Sequence, residues 1–175
     1  VVVIDSYRSR TAKAADWHIM PKPGTDGALA MAIINYITTN NLVDKDYVKK
    51  YTNGFEELKI HSKEKTSTWA SEITGISKEE IEKFSFELAT IQPAAIRIGV
   101  ALERHHGGGQ TIRAVTCIPA LTGAWKFVGG GITQFPVWEH PYKFDVICRP
   151  DLVPENTRVI NALQIGRALN NEIHD

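Results

Sequence analysis

Val1-Val2-Val3-Ile4-Asp5 opens the sequence, and Ala94-Ala95-Ile96-Arg97-Ile98-Gly99-Val100 repeats its character far downstream. Short β-branched or apolar runs that stop at a polar residue or glycine read as strands buried on both faces of a parallel sheet. Asp16-Trp17-His18-Ile19-Met20 reads as a third, closed by the stiff turn Pro21-Lys22-Pro23-Gly24. From Asp26 the residues Leu29, Ile33 and Ile37, flanked by Ala30, Ile34 and Tyr36, recur at helical spacing, with Thr25 or Asp26 as cap. Shorter helices are expected from Asp44 to Tyr51, from Phe55 to about Lys63 and from Ser67 to Ile73. Ser77-Lys78-Glu79-Glu80 has the form of a capping box, and Ile81, Phe84, Leu88 and Ile91 follow on one face, ending before Pro93. Gly107 to Gly109 lead into a helix carrying Ile112, Val115, Ile118 and Leu121. Strand, helix and strand alternate, so the expected fold is α/β: a parallel sheet flanked by helices in three layers, like a dinucleotide-binding domain.

Beyond Gly123 the period is lost. Gly129-Gly130-Gly131 and a Pro- and aromatic-rich run suggest a long irregular connection from Trp125 to Glu155, after which Thr157 caps a last helix with Val159, Ile160, Leu163 and Leu169. The expected division is an α/β domain over 1–124 and an irregular C-terminal extension over 125–175. Phe135, Trp138, Tyr142 and Phe144 fit packing against a neighbouring domain better than a substrate funnel. The chain begins at Val1 inside a strand-like run, which suggests an internal piece of a longer polypeptide.

Composition narrows the function. Among 175 residues, 20 Lys+Arg balance 20 Asp+Glu, so no net charge draws the chain to nucleic acid or an anionic membrane. Hydrophobic residues at 43% can build a core, and no apolar run is long enough for direct membrane insertion as a helix. Cys117 and Cys148 lack the paired spacing of a metal or iron–sulfur site, and Cys117 sits on an apolar helical face.

Three places could bind a ligand. Asp5 stands where a strand delivers its carboxyl end, although a turn-forming Asp explains it as well. In Pro23-Gly24-Thr25-Asp26-Gly27, Gly24 lets a flat ligand approach the backbone. The Asp26 carboxylate offers two parallel acceptors that match the adjacent N–H donors of guanine. Locally, an N-cap worth about 1 kcal/mol is the simpler account of Asp26. Glu103-Arg104-His105-His106-Gly107-Gly108-Gly109 sits between strand and helix. It either turns backbone N–H groups and Arg104 toward an anion or is a solvated loop, with at most one of the two histidines facing a ligand.

These residues, taken in order, resemble the molybdopterin oxidoreductase family, the large bis-molybdopterin guanine dinucleotide enzymes of dimethyl sulfoxide reductase and formate dehydrogenase type. Carrying the resemblance are residues 1–5 with Arg10-Thr11-Ala12-Lys13-Ala14-Ala15-Asp16, then Lys22-Pro23-Gly24-Thr25-Asp26-Gly27-Ala28-Leu29-Ala30. Asn53-Gly54-Phe55-Glu56-Glu57, Ile73-Thr74-Gly75-Ile76, Pro93-Ala94-Ala95-Ile96 and Ala120-Leu121-Thr122-Gly123-Ala124-Trp125 with Gly129-Gly130-Gly131 continue it. It implies a cofactor-holding segment of a molybdenum or tungsten oxidoreductase. Asp5 and Tyr7 would flank the guanosine end of the cofactor, Gly24 and Asp26 would meet the guanine, and Val100 and Arg104 would approach from the next strand–loop junction. Asp5-Ser6-Tyr7 departs from the family's frequent Asp-Pro-Arg, leaving Arg8 as the nearest substitute.

No catalytic residue, metal ligand or iron–sulfur cysteine set of the family has a counterpart here, so the isolated chain is expected to be inactive and to hold no cofactor. The implied partners are the remaining domains of the parent chain, an iron–sulfur domain among them. The implied location is the cytoplasm, or the membrane through partner subunits. The competing readings are a non-catalytic nucleotide-binding or interaction module and a fragment of a flavin or nicotinamide dinucleotide enzyme, the latter lacking its Gly-rich fingerprint.

Overall fold

The computed structural model describes residues 1–134 and 142–173, and the chain divides into two compact units, residues 1–135 and 136–175. Phe135 and Trp138, expected to pack against another domain, fall outside the described residues.

The first unit runs β1 (Val2–Ile4), α1 (Arg10–Ala14), β2 (Trp17–Ile19), α2 (Asp26–Thr39), α3 (Lys45–Tyr51), α4 (Phe55–Ser62), α5 (Ser67–Thr74), α6 (Lys78–Thr90), β3 (Ala95–Arg97), a 3₁₀ turn (Val100–Arg104), α7 (Gly108–Leu121), a second 3₁₀ turn (Ala124–Lys126) and β4 (Gly131–Thr133). It is an α/β fold with short parallel strands. β1 pairs with β2, Val3 opposite His18, and β3 pairs with β4, Ile96 opposite Ile132.

Its core is built around α2, where Leu29, Ala30, Ala32, Ile33, Ile34 and Ile37 are all buried. A helix that is apolar on nearly every side must be enclosed, and α5, α6 and α7 pack round it. Where α2 meets α7 the side chains are small: a Cβ on Gly27 would lie 2.8 Å from Oγ1 of Thr111. The buried Asn35 carboxamide donates to the carbonyls of Ser62 and Lys63 at 2.9 and 3.1 Å, satisfying the C-terminal end of α4.

The helix caps follow the sequence closely. Asp44 accepts from Tyr47 N–H, Thr66 from Trp69 N–H and Ser77 from Glu80 N–H. The capping box closes on one side only, because Glu80 instead accepts from the Trp17 indole at 3.0 Å. Trp17 also meets Phe84 edge-to-face at 5.8 Å, tying β2 to α6.

Two expectations differ from the structure. The glycine-rich run after Trp125 contains β4, whose Gly131 has φ +107° and would, with a Cβ, come within 2.4 Å of the Trp125 indole nitrogen. Thr157 does not cap a helix: its hydroxyl donates to the carbonyl of Pro154 in a turn. The second unit has α8 (Phe144–Cys148), 3₁₀ turns at Pro150–Leu152 and Ala162–Gln164, and α9 (Ile165–Leu169). Val159 and Leu163 are largely exposed there, so the apolar period does not mark a buried face.

Candidate functional site

Because β1 and β2 run parallel, the residues after each leave from the same edge. After β1, Asp5 N–H donates to the carbonyl of Ile19 at 3.1 Å, and the Asp5 carbonyl lies 2.9 Å from Nε2 of His18. The Asp5 carboxylate accepts from Tyr7 N–H at 3.0 Å, so one oxygen shapes the turn and the other stays available. After β2, the turn is fixed by Lys22 N–H donating to the Thr74 carbonyl at 2.8 Å and by the Thr25 hydroxyl donating to the Lys22 carbonyl at 2.6 Å. Gly24 takes φ +78°, a left-handed conformation that only glycine adopts cheaply.

Thr25 occupies the cap position of α2, without a side-chain cap bond, and Asp26 is the first helical residue. Among the described residues the Asp26 carboxylate has no hydrogen-bond or ion-pair partner. It is a half-buried carboxyl group at the N-terminal end of α2, open to accept from a ligand.

The third strand–loop junction closes on the same edge. Gly24 faces His105: a Cβ on the glycine would sit 3.3 Å from the imidazole Nδ1. A cleft of about 1100 Å³ opens among these elements, lined by Asp5, Ser6, Lys22, Gly24, Asp26 and His105 together with the strands beneath them. Of the residues predicted from sequence, it gathers Asp5, Gly24 and Asp26. Tyr7, Val100 and Arg104 are not among its lining, although Ala101, Leu102 and His105 are. Tyr7 is 73% exposed. Of the two histidines, His105 lines the cleft and His106 does not. Lys22 and Ser6 are not among the residues expected to bind; Lys22 stands between two prolines and opens the Lys22-Pro23-Gly24 stretch of the resemblance.

The middle glycine of the triplet, Gly108, has a packing role. A Cβ on Gly108 would come within 2.5 Å of the Leu102 carbonyl oxygen and 2.7 Å of the Glu103 Cα. Its N–H donates to the His105 carbonyl, while the N–H groups of Gln110 and Thr111 turn back to Gly107. Three N–H groups around the triplet are thus taken up by nearby backbone carbonyls. Cys117 is half-buried and its thiol is pushed up by desolvation, consistent with a packing residue.

The described residues contain no grouping of three or more His, Cys, Asp or Glu able to hold a metal ion, and no helix among them is long and apolar enough to cross a membrane. The cleft offers acceptors at Asp5 and Asp26, a cation at Lys22, an imidazole at His105 and open backbone at Gly99, where a Cβ would meet nothing within 4 Å. Such a set can accept from and donate to the polar edges of a ligand.

The sequence profile of the molybdopterin oxidoreductase family matches residues 1–166. The chain is 39% identical to the "Probable oxidoreductase YoaE" of Bacillus subtilis over 170 residues, 97% of this chain and 25% of that protein. It is 35% identical to formate dehydrogenase H of Escherichia coli over 123 residues, 70% of this chain and 17% of that protein. Among solved structures, acetylene hydratase from Pelobacter acetylenicus superposes with a TM-score of 0.69 at 35% identity, covering 74% of this chain and 18% of that one. The chain thus spans a quarter or less of the relatives it matches. With the profile covering nearly its whole length, the chain belongs to the molybdopterin oxidoreductase family.

Proposed function

We propose that the chain is a cofactor-holding segment of a molybdenum or tungsten oxidoreductase, and that it binds the guanosine end of a bis-molybdopterin guanine dinucleotide at the edge formed by Asp5, Gly24 and Asp26. Family membership supports the molybdopterin part of this reading. The guanine part rests on one observation: the unpartnered Asp26 carboxylate stands two residues beyond the left-handed Gly24, on the edge where Asp5 also emerges. Ligands of open α/β sheets gather outside the carboxyl ends of strands.

The residues present fit such a group. Asp26 would accept from the adjacent N–H donors of the purine, and the free oxygen of Asp5 would accept from a ribose hydroxyl. Of the other lining residues, Lys22 would offset phosphate charge and His105 would offer a ring nitrogen for a hydrogen bond. When bound, the metal centre supplies the redox chemistry; this segment's part is to orient the nucleotide arm and shield it. The reaction of the whole protein is fixed outside this segment, since one similar protein is named a hydratase. The remaining domains of the parent chain, an iron–sulfur domain included, are the proposed partners.

Acid hydrolysis of the purified full-length protein, with metal analysis of the same sample, tests the reading. GMP released together with molybdenum or tungsten is the expected result. Metal with no nucleotide, or with AMP in place of GMP, overturns it.

A further inference from the structure

Asn53-Gly54 joins α3 to α4, and both residues are exposed. Thr52 leaves α3 in extended conformation, and Gly54 takes φ +81° immediately before α4. Among the described residues the Asn53 carboxamide has no hydrogen-bond partner, and the Gly54 N–H donates to none. Beyond its chain neighbours, a Cβ on Gly54 would meet only the Glu57 carboxylate, at 3.9 Å. Backbone donors without a protein partner are satisfied by water, so the Gly54 amide is open to the side chain that precedes it.

The other asparagines are held. Asn35 is buried and donates to two carbonyls, and the Asn40 carboxamide donates to the Tyr36 carbonyl at 2.9 Å. After Asn41, Asn156, Asn170 and Asn171 it is the next N–H that is engaged: Leu42 donates to Ile37, Thr157 to Pro154, Asn171 to Ala168 and Glu172 to Arg167. The side-chain oxygen of Asn161 accepts from Leu163 N–H at 2.9 Å. Asn53 alone among them combines a free carboxamide, a free following N–H and a following glycine, whose lack of a side chain leaves the approach uncrowded.

We infer that Asn53 is a self-modifying site, which deamidates through the backbone of Gly54 to give aspartate and isoaspartate. Hydroxide takes the Gly54 N–H proton, and the amide nitrogen attacks Cγ of Asn53. The new N–C bond closes a five-membered succinimide while the carboxamide C–N bond breaks, its nitrogen leaving as ammonia with a proton from water. Water then opens the ring: attack at Cγ gives aspartate, and attack at the main-chain carbonyl gives isoaspartate. One water is consumed and one ammonia released, with no change of oxidation state. Isoaspartate adds a methylene to the link between α3 and α4, and either product sets a carboxylate ahead of α4. Thr52 and Phe55, on either side, line a cavity of about 500 Å³ with Lys45, Lys49 and Lys59, so the new charge arises beside a cationic surface. Thr38 and Asn41 also line that cavity, placing it at the far end of α2 from Asp26. The inference therefore does not depend on what the cofactor edge holds.

Incubation of the full-length protein at mildly alkaline pH, followed by tryptic mapping, tests it. The peptide 51–59 should gain about 1 Da and accept a methyl group from protein isoaspartyl methyltransferase, the enzyme that labels isoaspartate. Its rate should rise with pH and stay within about tenfold of the rate in the free synthetic peptide, as expected of an unprotected loop. Asn53→Gln, which would have to close a six-membered ring, should lose both the mass gain and the label. Deamidation more than about tenfold slower than in the free peptide would show that the folded protein shields the site, and overturns the inference. So does a label that survives Asn53→Gln, or one that accumulates first at another asparagine. Metal and GMP content enter none of these readouts, so failure of the guanine reading would leave them unchanged.

Discussion

Gly24 and His105 stand in contact across the ends of two separate strand pairs, with room for no more than the glycine: a Cβ there would lie 3.3 Å from the imidazole Nδ1. This contact joins the loops after β2 and β3 at a cleft that the loop after β1 also lines.

Gly24→Ala is therefore expected to destabilise the chain for two separable reasons. The left-handed conformation costs a non-glycine residue about 1–2 kcal/mol, and the new methyl presses on His105. His105→Ala in the same background should recover the second part and leave the first. Urea unfolding of the single and double variants measures both. A Gly24→Ala chain as stable as the wild type would show that position 24 does not hold φ +78°.

Two adjacent glycines, Gly108 and Gly109, should respond in opposite directions. Gly108→Ala forces a methyl against the Leu102 carbonyl and the Glu103 backbone, groups that cannot swing aside, and should cost about 1–3 kcal/mol. Gly109, one residue on in α7, has nothing within 4 Å of a Cβ; Gly109→Ala should stabilise by about 0.5–1 kcal/mol through helix propensity. Melting temperatures that move the same way for both would contradict the close approach of the 3₁₀ turn to α7.

What the sequence made legible was what the chain decides locally. α2 was readable from its apolar spacing, and Asp44, Thr66 and Ser77 each bond the backbone three residues ahead. β4 was not, because Gly131-Ile132-Thr133 is a strand only through its pairing with residues 95–97. Glu80 left its capping box for Trp17, 63 residues away, a competition no local window contains. At the site, Asp5 and Gly24 could be placed on one edge from strand order, but the inclusion of His105 and Lys22 depends on loops meeting in space. Arg104, adjacent to His105 in sequence, ends a 3₁₀ turn and lies outside the cleft lining.

Acid should find one specific weakness at Asp44. Its carboxyl is held below the ordinary value first by the hydrogen bond from the Lys126 amine and then by Tyr47 N–H. A carboxyl depressed in the folded state adds stability above its ordinary pKa of about 3.9, and that stability is lost as pH falls through the folded value. Asp44→Asn keeps the cap but loses the ion pair, so at neutral pH it should cost only about 0.2–1 kcal/mol, the pair being partly exposed. Its deficit against the wild type should shrink as pH drops from about 5 toward 2. Asp44→Ala should carry a further loss of about 1 kcal/mol at every pH. Urea midpoints across that range decide it; a deficit for Asn that is constant with pH would remove Lys126 from the account.

Asp26 carries the functional reading, and its two substitutions separate binding from helix stability. Its carboxylate opens α2 as the first helical residue, so its contribution to the helix is the favourable field at the N-terminus, about 0.3–1 kcal/mol, with no cap bond to lose. If the carboxylate accepts from the guanine N–H donors, Asp26→Ala removes charge-assisted hydrogen bonds contributing about 1.5–3 kcal/mol, lowering cofactor affinity roughly tenfold to more than a hundredfold. Asp26→Asn should fall between, because its amide keeps one acceptor but turns its other arm, a donor, toward donors. Metal and GMP content of the full-length protein, measured beside its melting temperature, give the two readouts. The expected order of cofactor content is Asp, then Asn, then Ala, with melting temperatures of the cofactor-free proteins nearly equal. Full cofactor in all three, with small shifts in melting temperature alone, would reduce Asp26 to a helix-end charge and move the guanine contact elsewhere on the edge.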